Sequence, residues 1–562
     1  MRKPLLSEMT LREKIGQTIL PYQWHINRKT EVDPSILRTK EEKAAYLQER
    51  QPGALWVQPG ASSRGLDVAW EAEHQDESEE FREWIMEEDA CLKIHALVCT
   101  DAENGIQWAI KDLSQTPPEV AIGAANSPEL TYELAKSVGK ELRCAGINWV
   151  WGPVVDIGGR FSASLLRSYC QNDPERMIAL ANAYVTGMQS EGVAATVKHF
   201  PGGDHYEYRD SHFCSTKNSS TIEEWWEEQG KIFQGVIDGG VYSVMVGHKA
   251  FPVADDTMLK GRYIPSTLSY KIITELLKEK MGFKGIVVTD GLEMAGLSTF
   301  YEEEELIVEA IKAGNDVLLG VHSHRAVDIL EAAVLDGRIS EARIDDACQR
   351  ILDVKEKLGM FTDEYYQVRY KAEDLVPQTA KLSKAISQKS ITLVRDRNDL
   401  LPLSKEKIKN VTIICSTHTD SFFDNPNVVK EAFEARGATV KMQRRLKNTE
   451  ELTRIAEKSD LILYAAYIAG HRPKGWITLF GEECETYHFA FSRGNAKSIG
   501  VSFGYPYVHY NIMEGADTFV NAYSDCPDQM EAFVEALYGE IPMTGLSPVN
   551  LEPGLLKDCS GQ

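Results

Sequence analysis

A chain of 562 residues with 43% hydrophobic and 26% charged side chains has a globular composition, which excludes a wholly disordered or fibrous protein. Its 61 Lys and Arg against 84 Asp and Glu leave a net charge of −23, which repels a phosphate backbone and argues against nucleic acid as a partner. No run reaches the ~18 apolar residues of a membrane span, Met1–Lys14 holds no apolar leader segment, and the ten cysteines include no CxxC pair.

These features read as a soluble, cytoplasmic protein with no membrane partner, no zinc ribbon and no dense disulfide framework. Eight short apolar runs follow in chain order, each leading into a stretch of helical period: Gln17–Tyr22, Ala54–Gln58, Ile94–Thr100, Ile147–Gly152, Ala194–His199, Tyr242–Val246, Gly285–Thr289 and Asp316–Leu319. Strand followed by helix implies parallel pairing through right-handed crossovers, and eight such units suffice to close a (β/α)8 barrel. Helix starts fit this spacing: Ser127 precedes Leu130–Leu142, and Asp173-Pro174-Glu175 precedes Met177–Gln189.

Near Met360 the alternation breaks and a second one begins. A helix over Ala380–Lys389 leads to strands at Ile391–Val394, Val411–Cys415, Leu461–Ala465, Ser498–Phe503 and Thr518–Ala522, with a helix at Val428–Arg436 between them. The expected fold class is α/β: a TIM-type barrel over residues 1–360, a linker over 361–386, and a smaller α/β sandwich over 387–562.

Barrel chemistry sits at the C-terminal ends of the strands. Five of those ends carry polar residues: Asp101, Asp156, Lys198 with His199, His248 and Asp290. Taken singly, Asp156 and His248 read more readily as cap or turn residues. Asp290 is delivered by an apolar run straight into a Gly-containing turn, which suits nucleophilic or electrostatic work on an oxocarbenium-like centre. A proton donor is then needed, and Asp210-Ser211-His212 offers one. Residues two apart on an extended segment point the same way, so the carboxylate can fix an imidazole whose ordinary pKa of ~6.5 serves both acid and base steps. His199, Asp204, His205, Asp210 and His212 also leave open a metal-dependent site, although their spacing matches no compact ligand pattern.

These residues resemble the signatures of family 3 glycoside hydrolases. Lys198-His199-Phe200-Pro201-Gly202 followed by Asp210-Ser211-His212 is similar to the family's K-H-F-P-G-H-G…D-[ST]-H pattern, with Gly203 in place of its second histidine and one extra residue before Asp210. Gly282-Phe283-Lys284-Gly285 through Thr289-Asp290 is similar to its nucleophile strand. Asp101-Ala102-Glu103-Asn104-Gly105 and Arg167-Ser168-Tyr169 add support.

The resemblance implies a barrel followed by a sandwich domain, acting on a small carbohydrate substrate with no cofactor and no metal. Asp290 would be the nucleophile, and Asp101, Arg167, Lys198, His199 and Met294 would bind the sugar. In the family's β-N-acetylglucosaminidase branch the acid/base is the histidine of D-[ST]-H with its aspartate as partner, which assigns those roles to His212 and Asp210. In its β-glucosidase and xylosidase branch a second-domain glutamate acts instead, and Glu482, Glu483 and Glu485, within the irregular stretch Trp476–Thr486, are the candidates. Water or phosphate as the acceptor is left open.

Overall fold

The computed structural model describes residues 2–551 apart from 23–25, 27–37, 57–76, 108, 322–324, 363, 366, 368–369, 418–426, 469–476, 480 and 492–496. Gln58 and Trp476, at the edges of two sequence-derived segments, lie outside the described residues.

All eight expected barrel strands form. They are β1 Ile19–Leu20, β2 Ala54–Trp56, β3 Leu97–Thr100, β4 Trp149–Val150, β5 Ala194–Phe200, β6 Ser243–Val246, β7 Ile286–Thr289 and β8 Leu318–Leu319. β2 to β7 pair in parallel in that order. β8 pairs in parallel with β1, and parallel bridges Tyr22–Trp56 and Val288–Val317 join this pair to β2 and β7, closing the ring. Strands such as Ile286-Val287-Val288-Thr289 are buried along their whole length, as a parallel sheet covered by helices requires. The barrel interior is filled by Leu20, Trp149, Trp151, Met245, Val288 and Leu319 rather than left as a pore.

The later strands form a separate six-stranded sheet from β9 Thr392–Asp396, β10 Asn410–Thr417, β11 Thr439–Arg444, β12 Leu461–Ile468, β13 Lys497–Gly504 and β14 Thr518–Asn521. Its order is β9-β14-β13-β12-β10-β11, with only β9 antiparallel. Apolar clusters cover both faces, one around Val411, Leu463 and Phe533 and the other around Ile414, Tyr464 and Phe519.

From the linker onward, two elements differ from the sequence expectation. β11 was not expected, because its residues Thr439-Val440-Lys441-Met442-Gln443-Arg444 are mostly polar; an edge strand tolerates that. The helix placed at Ala380–Lys389 spans Ala372–Ser390 and carries Pro377 inside it. Proline normally breaks a helix interior. Here Thr379, two residues on, is anchored in buried hydrogen bonds to Ser137 and Glu141.

The chain groups into two compact units, with residues 117–130 and 157–180 joining the C-terminal one and the boundary after Ala380 falling inside that helix. Among the described residues, no helix is long and apolar enough to cross a membrane.

Candidate active site

Asp290 continues the backbone pairing of β7, its N–H donating to Val246 O at 3.0 Å. The chain then turns at Gly291, whose N–H donates to Asp290 Oδ1 at 2.8 Å. The second oxygen lies 3.9 Å from His199 Nε2. Burial pushes this carboxyl's pKa up, but the imidazoles of His199, His248 and His212, with the Gly291 N–H, outweigh it and hold the pKa below the ordinary value. An ionised carboxylate at the barrel mouth is the result.

His248 lies beneath that turn, fully buried, and burial lowers its pKa. A carbonyl can only accept, so Nε2 carries the proton it donates to Gly291 O at 2.8 Å, and Nδ1 faces the Thr267 hydroxyl at 2.7 Å. The residue is therefore a buried brace for the Asp290 turn, not a surface turn or cap residue.

β5 delivers two consecutive side chains to the same mouth. Alternation along a strand would send them to opposite faces, but the register with β6 shifts between Lys198 and Phe200, and such a bulge re-aims a side chain. Lys198 Nζ donates to Asp101 Oδ1 at 3.1 Å and pairs with Glu103 Oε1 at 2.8 Å. His199 donates through Nδ1 to Asp156 Oδ2 at 2.7 Å, and its backbone N–H reaches Asp156 Oδ1 at 3.2 Å. Asp156 thus fixes the tautomer that turns Nε2 toward Asp290. Burial raises the pKa of Asp156, and the His199 partner more than reverses this.

The expected dyad forms by a different geometry from the one anticipated. Residues 211–213 are a turn, not an extended segment. Asp210 Oδ1 accepts both the backbone N–H of His212 at 2.9 Å and its ring Nδ1–H at 2.7 Å, an Asx-type turn in which Nε2 takes no part. The loop is held from several sides. Buried Asp204 accepts the N–H groups of Tyr206, Glu207 and Ser219, and Glu207 forms a two-point pair with Arg209. Gly296 N–H donates to Ser211 O at 2.9 Å, and Ala295 N–H to His212 O at 3.3 Å. A Cβ at Gly296 would stand 2.7 Å from Ser211 O, so only glycine permits this close approach.

Of the residues that a metal site would have used, Asp204 is engaged by backbone and His205 pairs with Glu228 at 3.2 Å. Among the described residues, no three His, Cys, Asp or Glu side chains are grouped to hold an ion.

Asp101, Lys198, His199 and Asp290 are thus brought together, with His212 in electrostatic reach of Asp290. Met294 is buried at the N-terminus of the short helix Ala295–Ser298, its N–H bonded to Gly291 O. Arg167 ends the helix Ser164–Arg167, whose Leu165 and Leu166 pack in the core of the C-terminal unit. Also in that unit, Glu482 pairs with Arg445, while Glu483 pairs with Arg444 at 2.9 Å and accepts the Thr417 N–H at 3.2 Å.

Three members of the site were not singled out from the sequence: Glu103 beside Lys198, and Tyr22 bonded to Glu293 at 2.6 Å. Glu103 and Glu293 do fall inside stretches that carried the family likeness, Asp101–Gly105 and the turn after Asp290. Tyr22 has no comparable signal.

A closed parallel barrel with carboxylates, a lysine and imidazoles converging at its C-terminal face defines an enzyme of the barrel class. The chain belongs to glycosyl hydrolase family 3, whose N terminal domain matches residues 10–354. A β-N-acetylglucosaminidase/β-glucosidase of Cellulomonas fimi is 27% identical over 478 residues, covering 81% of this chain and 83% of its own length. A β-hexosaminidase of Stenotrophomonas maltophilia (strain K279a) is 30% identical over 285 residues, 46% of this chain and 82% of that protein. The solved structure of a glycoside hydrolase family 3 β-N-acetylglucosaminidase from Paenibacillus sp. str. FPU-7 superposes with a TM-score of 0.78 at 27% identity, covering 97% of this chain and 99% of that one. The protein is a glycoside hydrolase acting on β-linked sugars.

Proposed function

We propose that the protein removes terminal β-linked N-acetylglucosamine with retention of configuration. Asp290 attacks the anomeric carbon as the glycosidic C–O bond breaks, and His212 gives its Nε2 proton to the departing oxygen. In the second half-reaction the neutral imidazole takes a proton from the acceptor, whose oxygen displaces Asp290 and regenerates it. Asp210 holds the imidazole in the required tautomer. Asp101, Lys198, His199 and Met294 bind the sugar.

The observation that carries this reading is the 2.7 Å contact between Asp210 Oδ1 and His212 Nδ1 on a loop pinned beside the Asp290 turn. The relatives named for N-acetylglucosamine or hexosamine cleavage support it. The physical step from a histidine dyad to an N-acetylated sugar comes from the family likeness alone. A neutral imidazole, unlike a carboxylate, does not repel a phosphate dianion, so phosphate is a candidate acceptor beside water.

The test is a panel of nitrophenyl β-glycosides assayed with and without phosphate, with chromatography of the sugar product. The N-acetylglucosaminide is expected to turn over fastest; preference for the glucoside or xyloside would overturn the reading. Free sugar or sugar phosphate as the product identifies the acceptor.

A further inference from the structure

The carboxylate of Glu293 ties together loops that leave the first, seventh and eighth strands. Tyr22, two residues past β1, donates its hydroxyl to Glu293 Oε1 at 2.6 Å. The remaining walls are backbone. A Cβ at Gly291 would stand 2.8 Å from either carboxylate oxygen, and one at Gly320, which directly follows β8 and has a φ of +76°, would stand 2.8 Å from Oε2. Two glycines leave the space this carboxylate fills, and Gly320 also adopts a backbone conformation that disfavours other residues.

Burial raises the Tyr22 pKa, and Glu293, Asp290 and Asp101 raise it further, so the tyrosine keeps its proton and stays a donor amid three carboxylates. Glu293 itself remains solvent-exposed. One of its oxygens is fixed by Tyr22, and lone pairs remain to accept from a sugar hydroxyl or ammonium group.

We propose that Glu293 is a specificity-determining residue that sets the charge of the sugar admitted beside Asp290, favouring neutral and cationic sugars and rejecting uronic or sulfated ones. This rests on the reading that the sugar binds at Asp290. An anionic substituent there meets a fixed negative charge and finds no donor on it. A neutral hydroxyl finds an acceptor, and an ammonium group also gains by charge attraction.

The experiment compares wild type with Glu293→Gln, which keeps the shape and the Tyr22 contact but loses the charge. Inhibition constants are measured in two monosaccharide series. One varies C2, with glucosamine, N-acetylglucosamine and glucosamine N-sulfate; the other varies C6, with 6-amino-6-deoxyglucose, glucose and glucuronate. In at least one series the variant is expected to bind the cation about tenfold more weakly and the anion about tenfold more tightly. General damage to the site would weaken all three together, and parallel shifts in both series would overturn the proposal. Labelling by a fluorinated sugar is run on both proteins. Label absent from Asp290 in wild type would instead remove the reading beneath the proposal.

Discussion

Asp290 and His212 reach the barrel mouth by contrasting routes. Asp290 ends a strand whose four residues are all buried, and its backbone is fixed by a neighbouring strand and by its own turn. His212 sits on a turn between β5 and β6, held by an aspartate at i−2, by Asp204 beneath the loop, and by the backbone of residues 295–296. A strand end is placed by the sheet as a whole. A loop residue is placed by a few contacts, each of which a single substitution can remove.

The comparison predicts unequal consequences. Asp290→Ala is expected to remove ~10³-fold or more of turnover on every substrate, since both half-reactions of the proposed mechanism pass through that carboxylate. Peptide mass spectrometry after a fluorinated sugar should find the label on Thr289-Asp290-Gly291, and label elsewhere breaks the assignment. His212→Ala should be selective. A poor leaving group needs the proton and a nitrophenolate hardly does, so disaccharide cleavage should fall far more than nitrophenyl release in the first half-reaction, with a milder pattern for Asp210→Ala. Gln variants of Glu482, Glu483 and Glu485 should stay close to wild type. If one of them shows the leaving-group dependence and His212→Ala does not, a second-domain acid replaces the histidine.

Gly296→Ala sharpens the contrast between the two routes. The added Cβ would press on Ser211 O and move the His212 turn without touching Asp290. A roughly tenfold loss confined to poor leaving groups, with labelling of Asp290 retained, is expected. Equal losses on good and poor leaving groups would mean that the substitution disturbs the Asp290 turn as well.

The same contrast explains what could be read from the sequence. All eight barrel strands were legible because parallel strands covered on both faces are short, continuous apolar runs, and their polar C-terminal residues stand out against them. Asp290 and Lys198 were visible for that reason. The roles of Asp156 and His248 were not, because a lone Asp or His after a strand has the local look of a cap; only the fold brings Asp156 to His199 and slides His248 under Gly291. The Asp210–His212 pairing was anticipated on extended-strand geometry and is made by a turn instead. The short spacing guaranteed proximity but not its form. Tyr22 and Glu293 are 271 positions apart in the chain, and no local pattern signals such a contact.

The smallest expected effect concerns the brace under Asp290. Burial holds the His248 pKa below its usual value, against the opposing pull of Asp290 and Glu293 and with a minor lowering from His212. In the unfolded chain His248 takes up a proton as pH falls through ~6.5, while in the folded chain burial delays that uptake to lower pH. The unfolded state therefore binds more protons in that window, and stability contributed by His248 is present above about pH 6.5 and lost as pH falls below it. Asp156 and Asp290 do not contribute there, because carboxylates with lowered pKa values lose their stabilising effect only below about pH 4. His509, whose pKa burial also lowers, shifts in the same sense and is unchanged in a His248 variant. Thermal unfolding at pH 7.5 and 5.5 should therefore show His248→Gln less stable than wild type at the higher pH, with the gap narrowing by up to about 1 kcal/mol at the lower one. A constant gap would mean that folding leaves the His248 pKa unchanged, and a gap that widens at pH 5.5 would mean that His248 is already protonated in the folded state and braces Asp290 as a cation.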